Sequence, residues 1–258
     1  MKNDKRNQEI REQLEGKIFV TNEGYDIKVI KYINHTNIII EFLDEYHFTT
    51  SVRINKLKDG GISNPYHRSV LGVGYLGVGK HKCWENGKHT KKYDCWIRMV
   101  SRCYDDKLKE TRLDYLKNSM CEEWLNFQNF GDLYDDNYYT IEGETMNLDK
   151  DILVKGNSLY SPSTCCFVPN KINNAFKGHT TKNKTLPVGV RYDKKKNNYF
   201  SFTMDYEKNY QRVYGHFTTP EEAHEDYIIH KRENIIWLAN KYKELIPEKV
   251  YNAMVNYY

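Results

Sequence analysis

One short stretch of this chain gathers residues able to handle a phosphate and a divalent cation. In MNLDKDILVKGNSLYSPSTCCFVPNKINN, residues 146–174, Asp149 and Asp151 flank Lys150. Asn157 closes a Lys-Gly turn, and Asn173 lies near the end. Side chains alternate across a strand, so a strand over 147–153 places both carboxylates on one face and Leu148, Lys150 and Ile152 on the other. Two carboxylates on one face suit a hard cation such as Mg2+ or Mn2+. The same spacing is also met as solvated charge at a strand edge. A lysine titrates near pH 10.4, so a neutral one at pH 7 costs about 4–5 kcal/mol. Adjacent carboxylates push further toward the charged form. Lys150 is therefore expected as a cation that clamps a phosphate or stabilises the charge of a pentacovalent phosphorus, not as a base.

The elements that must position these groups read as strand, turn, strand, helix. The strand over 147–153 is followed by the turn at Lys155-Gly156-Asn157, and Leu159-Tyr160 makes a short return. Cys166–Val168 is extended, and a helix opens from Pro169 toward Phe176. Upstream, Trp96, Met99, Val100 and Cys103 fall at helical spacing within Tyr93–Cys103. Cys121, Trp124, Leu125 and Phe127 do so within Met120–Phe130. Arg98 and Arg102 sit one turn apart on the first helix, which suits a phosphate stripe or simply a solvated face.

The N-terminal part has a different texture. Residues 1–15 are charged and helix-compatible. KIFV, YDIKVIKYI and NIIIEFL are β-branched runs between TNEG and NHTN turns, with a fourth strand in His47–Ile54. Gly61–Lys80 is Gly-rich and basic, but GVGYLGVG lacks the order of a dinucleotide fingerprint. It reads as a tight loop or hairpin, or as backbone that approaches a phosphate.

Composition bounds the rest. A chain of 258 residues suits two or three small domains, and its 39% hydrophobic content fills small cores rather than one large one. No apolar run approaches the ~18 residues of a membrane span, and the first residues lack the apolar core of a signal peptide. The six cysteines show no metal spacing, so they are expected as reduced core residues of a cytosolic protein without structural zinc. A net charge of +4 favours anionic partners.

The stretch YDCWIRMVSRCY … MCEEWLNFQNF … LDKDILVKGNSLYSPSTCCFVPNKIN, spanning Tyr93–Asn174, resembles the HNH (His-Me finger) endonuclease-like proteins of bacteriophages. The resemblance implies a ββα-metal unit that hydrolyses phosphodiester bonds with one divalent ion. On that pattern Asp149 is a metal ligand, with Asp151 beside it, and Asn173 is the last ligand. Asn157 is the hairpin asparagine, and Lys150 stands where the family has its catalytic histidine. A base would then come from a carboxylate or from His67, His81, His89 or His179, each of which also reads as a surface histidine.

LPVGVRYDKKKNNYFSFTMDYEKNYQRVYGHFTTPEEAHEDYIIHKRENII, from Leu186 toward Tyr242, resembles the three-stranded sheet plus helix of Apetala/ethylene-response-factor DNA-binding domains. Its markers are Gly189-Val190-Arg191, Tyr214-Gly215-His216-Phe217 and Thr219-Pro220-Glu221-Glu222-Ala223. Thr219, Pro220 and Glu222 also read unaided as an N-cap, N1 proline and capping box. From Thr181 to His216 there are eight Lys/Arg (including Lys182 and Lys184) against three acids, more net charge than the whole chain carries. The resemblance implies a sheet that enters the major groove, with Lys194, Lys195 and Lys196 on phosphates and Arg191 and Arg212 on base edges.

The expected architecture is α+β in three parts. These are an N-terminal β module with its Gly-rich loop (1–80), a central HNH-like unit with flanking helices (81–178), and a C-terminal three-stranded antiparallel sheet plus helix (179–258). The expected partner is double-stranded DNA in a bacterial host cell, with Mg2+ or Mn2+ as cofactor and no membrane. A catalytically silent DNA-binding regulator, or an inhibitor of a host protein, is the alternative. Nothing in the sequence sets an oligomeric state.

Overall fold

A computed structural model describes residues 2–176 and 186–257 and shows an α+β protein. The elements in chain order begin with α1 (Lys2–Leu14), β1 (Ile18–Val20), β2 (Asp26–Asn34), β3 (Asn37–Phe42), β4 (Thr49–Val52) and α2 (Ile54–Asp59). The two short strands β5 (Trp84–Glu85) and β6 (Lys88–His89) precede α3 (Lys91–Tyr104). Then come α4 (Asp106–Thr111), β7 (Ser119–Met120), α5 (Phe127–Asn137), β8 (Met146–Asp149), β9 (Leu159–Tyr160), β10 (Cys166–Pro169) and α6 (Asn170–Phe176). The last are β11 (Val190–Asp193), β12 (Asn198–Asp205), β13 (Tyr210–Phe217), α7 (Pro220–Tyr242) and α8 (Glu248–Val255). His179, Lys182 and Lys184 lie outside the described residues. The chain divides into two compact units, residues 1–100 with 122–130, and residues 101–121 with 131–258.

In the first unit β1 to β4 form an antiparallel meander in sequence order. Alternation, interrupted on β2 by a register shift between Val29 and Lys31, supplies its core: Ile27, Val29 and Tyr32 on β2 and Ile38, Ile40 and Phe42 on β3 are fully buried while their neighbours are more exposed. On α3, Trp96 is buried and its indole N–H donates to the Trp124 carbonyl at 2.7 Å. The helix expected over Met120–Phe130 is broken into a 3-10 turn at Glu122–Leu125 followed by α5. The cause is local: the side chain of Asn126 accepts the N–H of Gln128 at 3.0 Å and starts a new helix.

In the second unit β8 pairs antiparallel with β10, Asp149 standing opposite Cys166, and α6 packs on both strands. Two expectations are corrected here. The strand expected over 147–153 stops at Asp149. The short return Leu159-Tyr160 pairs parallel with β7 rather than with β8. The C-terminal sheet follows the order β11-β12-β13, as expected, with α7 across it. Thr219 and Glu222 form a reciprocal capping box with Pro220 in the first turn. Gly189 has φ +80° and packs under Tyr227, whose ring carbon lies 2.0 Å from where a Cβ would stand, so only glycine fits.

α7 serves two cores. Ala223 and Tyr227 in its first half are buried under the sheet. Ile235, Leu238, Ala239 and Tyr242 in its second half join Ile152, Cys166, Val168, Ile172 and Ala175 of the β8–β10–α6 region, together with Val250 and Met254 of α8. Tyr242 also donates its hydroxyl hydrogen to Glu144.

Candidate functional site

Asp149 ends β8 with its carboxylate turned onto its own downstream backbone. Oδ1 accepts the N–H of Asp151 at 2.7 Å and of Ile152 at 2.8 Å. Such local bonding competes with a strand ladder, which explains why β8 ends where it does. The residue is 9% exposed. Burial pushes its carboxyl above the ordinary aspartate range, against the opposing pull of the two amides. Oδ2 makes no hydrogen bond among the described residues. Its neighbours Cys165 and Cys166 are buried, and burial lifts the Cys165 thiol to about 12.

Lys150 does not project freely. Its ammonium donates to Asp151 Oδ1 at 2.6 Å and to the Asn157 carbonyl at 2.9 Å, and it lies 5.8 Å from the centre of the Tyr160 ring. Asn157 returns the contact, since Nδ2 donates to the carbonyls of Lys150 (2.8 Å) and Leu159 (2.7 Å) while Oδ1 accepts the Leu159 N–H. The three residues Lys150, Asp151 and Asn157 thus lock the 150–159 loop. Asn173 lies on α6, half-buried and without a hydrogen bond among the described residues.

This arrangement does not fit the two-carboxylate cation site expected from a common strand face. Asp151 leaves the strand and is neutralised by Lys150, and one oxygen of Asp149 is already held by two amides. Among the described residues no group of three or more His, Cys, Asp or Glu is placed to share an ion. The histidines considered as bases have partners of their own. His67 Nδ1 meets the Tyr25 hydroxyl at 3.1 Å, His81 Nδ1 meets Lys92 at 3.0 Å and His89 Nδ1 meets Asp94 at 3.0 Å.

The two α3 arginines differ. Arg98 is exposed and makes no hydrogen bond or ion pair among the described residues. Arg102 donates to the Tyr160 hydroxyl at 3.4 Å and lies over the Tyr115 ring. Tyr160 therefore carries Arg102 at its hydroxyl and Lys150 over its ring, a convergence no sequence spacing announced.

The pairing of the C-terminal sheet sorts its side chains onto two faces. Directly paired residues share a face, so Arg191, Phe200 and His216 line one side, and Val190, Ser201 and Gly215 the other. The second side meets α7, where Ser201 donates to Asp226 and Tyr214 bonds to Asn234. Arg191 belongs to the open face and covers the Phe202 ring at 4.1 Å. Arg212 pairs across from Thr203, lies over Tyr214 and is 3.6 Å from the buried carboxylate of Asp205. The two arginines expected to act together on base edges thus lie on opposite faces. In the β11–β12 turn, Asp193 Oδ1 accepts the N–H of Lys195 and Lys196. Those backbone bonds hold its carboxyl below the usual range. Lys194, Lys195 and Lys196 are all exposed, and Lys196 reaches His216 at 3.2 Å.

Sequence patterning missed Lys231. It lies on the buried stripe of α7, four residues after Tyr227, is 3% exposed and has no ion pair or hydrogen bond among the described residues. Burial lowers its pKa to about 8. Among the described residues no helix is long and apolar enough to cross a membrane. Comparisons with protein-family models, with curated proteins and with solved structures returned no match to this chain.

Proposed function

We propose that this chain binds duplex DNA through the open face of its C-terminal sheet, and that the β8–β10–α6 region acts as a scaffold rather than as a hydrolytic centre. The observation that carries the first part is the cationic excess of that face. Arg191, Lys196 and His216 line it or its rim, with Lys194 and Lys195 exposed in the adjoining turn, against the single carboxylate of Asp193, which the turn amides hold, while Asp205 is turned to the α7 side. Such a face presents net positive charge to phosphates. The second part rests on the loop chemistry, in which Lys150, Asp151 and Asn157 satisfy one another.

A metal-dependent endonuclease of the HNH type is the second reading. It is favoured by the strand, strand, helix order of β8, β10 and α6 and by the unengaged Oδ2 of Asp149, with Asn173 on the adjoining helix as the companion ligand. One experiment separates the two. The full-length protein is titrated against duplex DNA in a gel-shift assay, then incubated with supercoiled plasmid in Mg2+, Mn2+ or EDTA. Binding without cleavage supports the scaffold reading. Nicking that EDTA stops and Asp149→Asn removes transfers the conclusion to the endonuclease. No binding at low salt removes both.

A further inference from the structure

The first unit carries a basic wing that the function proposed above does not use. Residues 80–92, KHKCWENGKHTKK, hold five lysines against the single carboxylate of Glu85. β5 and β6 form a hairpin here, Trp84 pairing with His89 and Glu85 with Lys88. Asn86 (φ 51°) and Gly87 (φ 74°) both adopt the left-handed region that a two-residue hairpin turn of this twist requires. The hairpin is tied down at its base. Thr90 N–H donates to the Cys83 carbonyl and Thr90 Oγ1 to the Lys82 carbonyl, each at 2.9 Å, and Thr90 Oγ1 also accepts the Tyr93 N–H at the start of α3.

Two independent features mark this wing as a contact surface. Trp84 is 59% exposed, whereas Trp96 and Trp124 are buried, and its ring meets His89 edge-on at 4.1 Å. Lys82, Lys88 and Lys91 are exposed, and their ammonium groups make no ion pair or hydrogen bond among the described residues. Arg98 adds a further exposed cation, seven residues after Lys91 on one face of α3 and thus about 10 Å further along its axis. A group of exposed cations with so few carboxylates near it in the chain gains most from a partner with densely repeated negative charge. A DNA duplex offers one such charge about every 1.7 Å along its axis.

We propose that the β5–β6 wing is a second contact to duplex DNA, with the Trp84 indole on one hairpin face against the groove edge, Lys88 on the opposite face, and Lys82, Lys88 and Lys91 on the backbone phosphates that flank the hairpin. This rests on the DNA-binding reading above but uses different residues. The test follows Trp84 emission in the full-length protein during titration with duplex, beside Trp84→Phe and the triple change K82Q/K88Q/K91Q. All four positions are exposed and outside the cores, and circular dichroism checks that each variant folds. The expected results are DNA-dependent quenching that Trp84→Phe removes, and a log–log salt slope shallower by roughly 2–3 in the triple variant, at about 0.9 per phosphate contact. Wild-type binding with unchanged Trp84 emission and an unaltered slope in the triple variant overturns the wing and leaves the sheet intact. A protein that binds no duplex at any salt concentration overturns both.

Discussion

Lys150 and Asn157 close their loop reciprocally. The Lys150 ammonium donates to the Asn157 carbonyl at 2.9 Å, and the Asn157 side-chain amide donates to the Lys150 carbonyl at 2.8 Å. Each side chain satisfies the other's backbone, so the pair behaves as a clasp across 150–157. Asn157→Asp is nearly isosteric but sets an anionic oxygen against two carbonyls, and should cost about 2–3 kcal/mol. Lys150→Met should cost about 1–2 kcal/mol, and Lys150→Arg should retain part of that. Urea unfolding of the three variants checks the order. If Asn157→Asp is as stable as the wild type, the clasp is not structural.

Asp149 gives a pH-dependent prediction with a definite sign. Its folded pKa lies above the ordinary 3.8, so the folded state binds the proton more tightly than the unfolded state. Relative to Asp149→Asn, the wild type should therefore lose stability as pH rises from about 4. The asparagine keeps an Oδ1 for the two amides, whereas Asp149→Ala orphans them and should cost about 1–3 kcal/mol. Thermal melts of both variants at pH 4 and pH 7 read the difference. A wild type that gains on Asp149→Asn with rising pH contradicts it.

Lys231 titrates in the other direction. Its pKa falls from 10.5 to about 8 on folding, so the unfolded state holds the proton more tightly and stability rises with pH between about 8 and 10.5. Lys231→Met, similar in length and without charge, should be more stable than the wild type by about 2–3 kcal/mol at pH 7. The gap should narrow above pH 8. A variant less stable than the wild type at pH 7 would show that the ammonium has a compensating partner.

The two strand arginines should separate cleanly. Arg191→Ala removes a cation from the open face and should weaken discrimination between DNA sequences by about 1–3 kcal/mol with little effect on stability. Arg212→Ala should instead lower stability by about 1 kcal/mol through loss of the Asp205 contact, and change DNA affinity less. Changing Lys194, Lys195 and Lys196 together to Ala should reduce the salt slope by roughly 2–3 without altering sequence preference. Equal losses of binding for Arg191→Ala and Arg212→Ala would contradict the assignment of faces.

Legibility in the sequence followed the range of the interactions. The meander of β1 to β4 was readable because β-branched runs and the TNEG and NHTN turns between them are local signals. The capping box at Thr219 was readable because both partners lie within four residues. The partner of β9 was not, since two-residue strands carry no alternation and β7 lies some 40 residues upstream. The end of β8 has a local cause, but an aspartate that bonds its own downstream amides has the same sequence spacing as a ligand on a continuing strand. Asn126 was passed over in the same way, as were Asn86 and Gly87, whose order alone favours a tight hairpin. Arg191 and Arg212 could not be assigned to opposite faces from sequence, because the pairing shifts by one residue between Ser201 and Phe202.

The double role of α7 has a consequence for synthesis. A ribosome releases β8, β10 and α6 long before Ile235, Leu238, Val250 and Met254, which complete the same core. Until they emerge, Val168 and Ile172 lack part of their apolar covering. The growing chain thus carries a half-closed hydrophobic surface through the translation of the whole C-terminal sheet, and holdase chaperones should engage nascent chains of this protein most strongly over that interval.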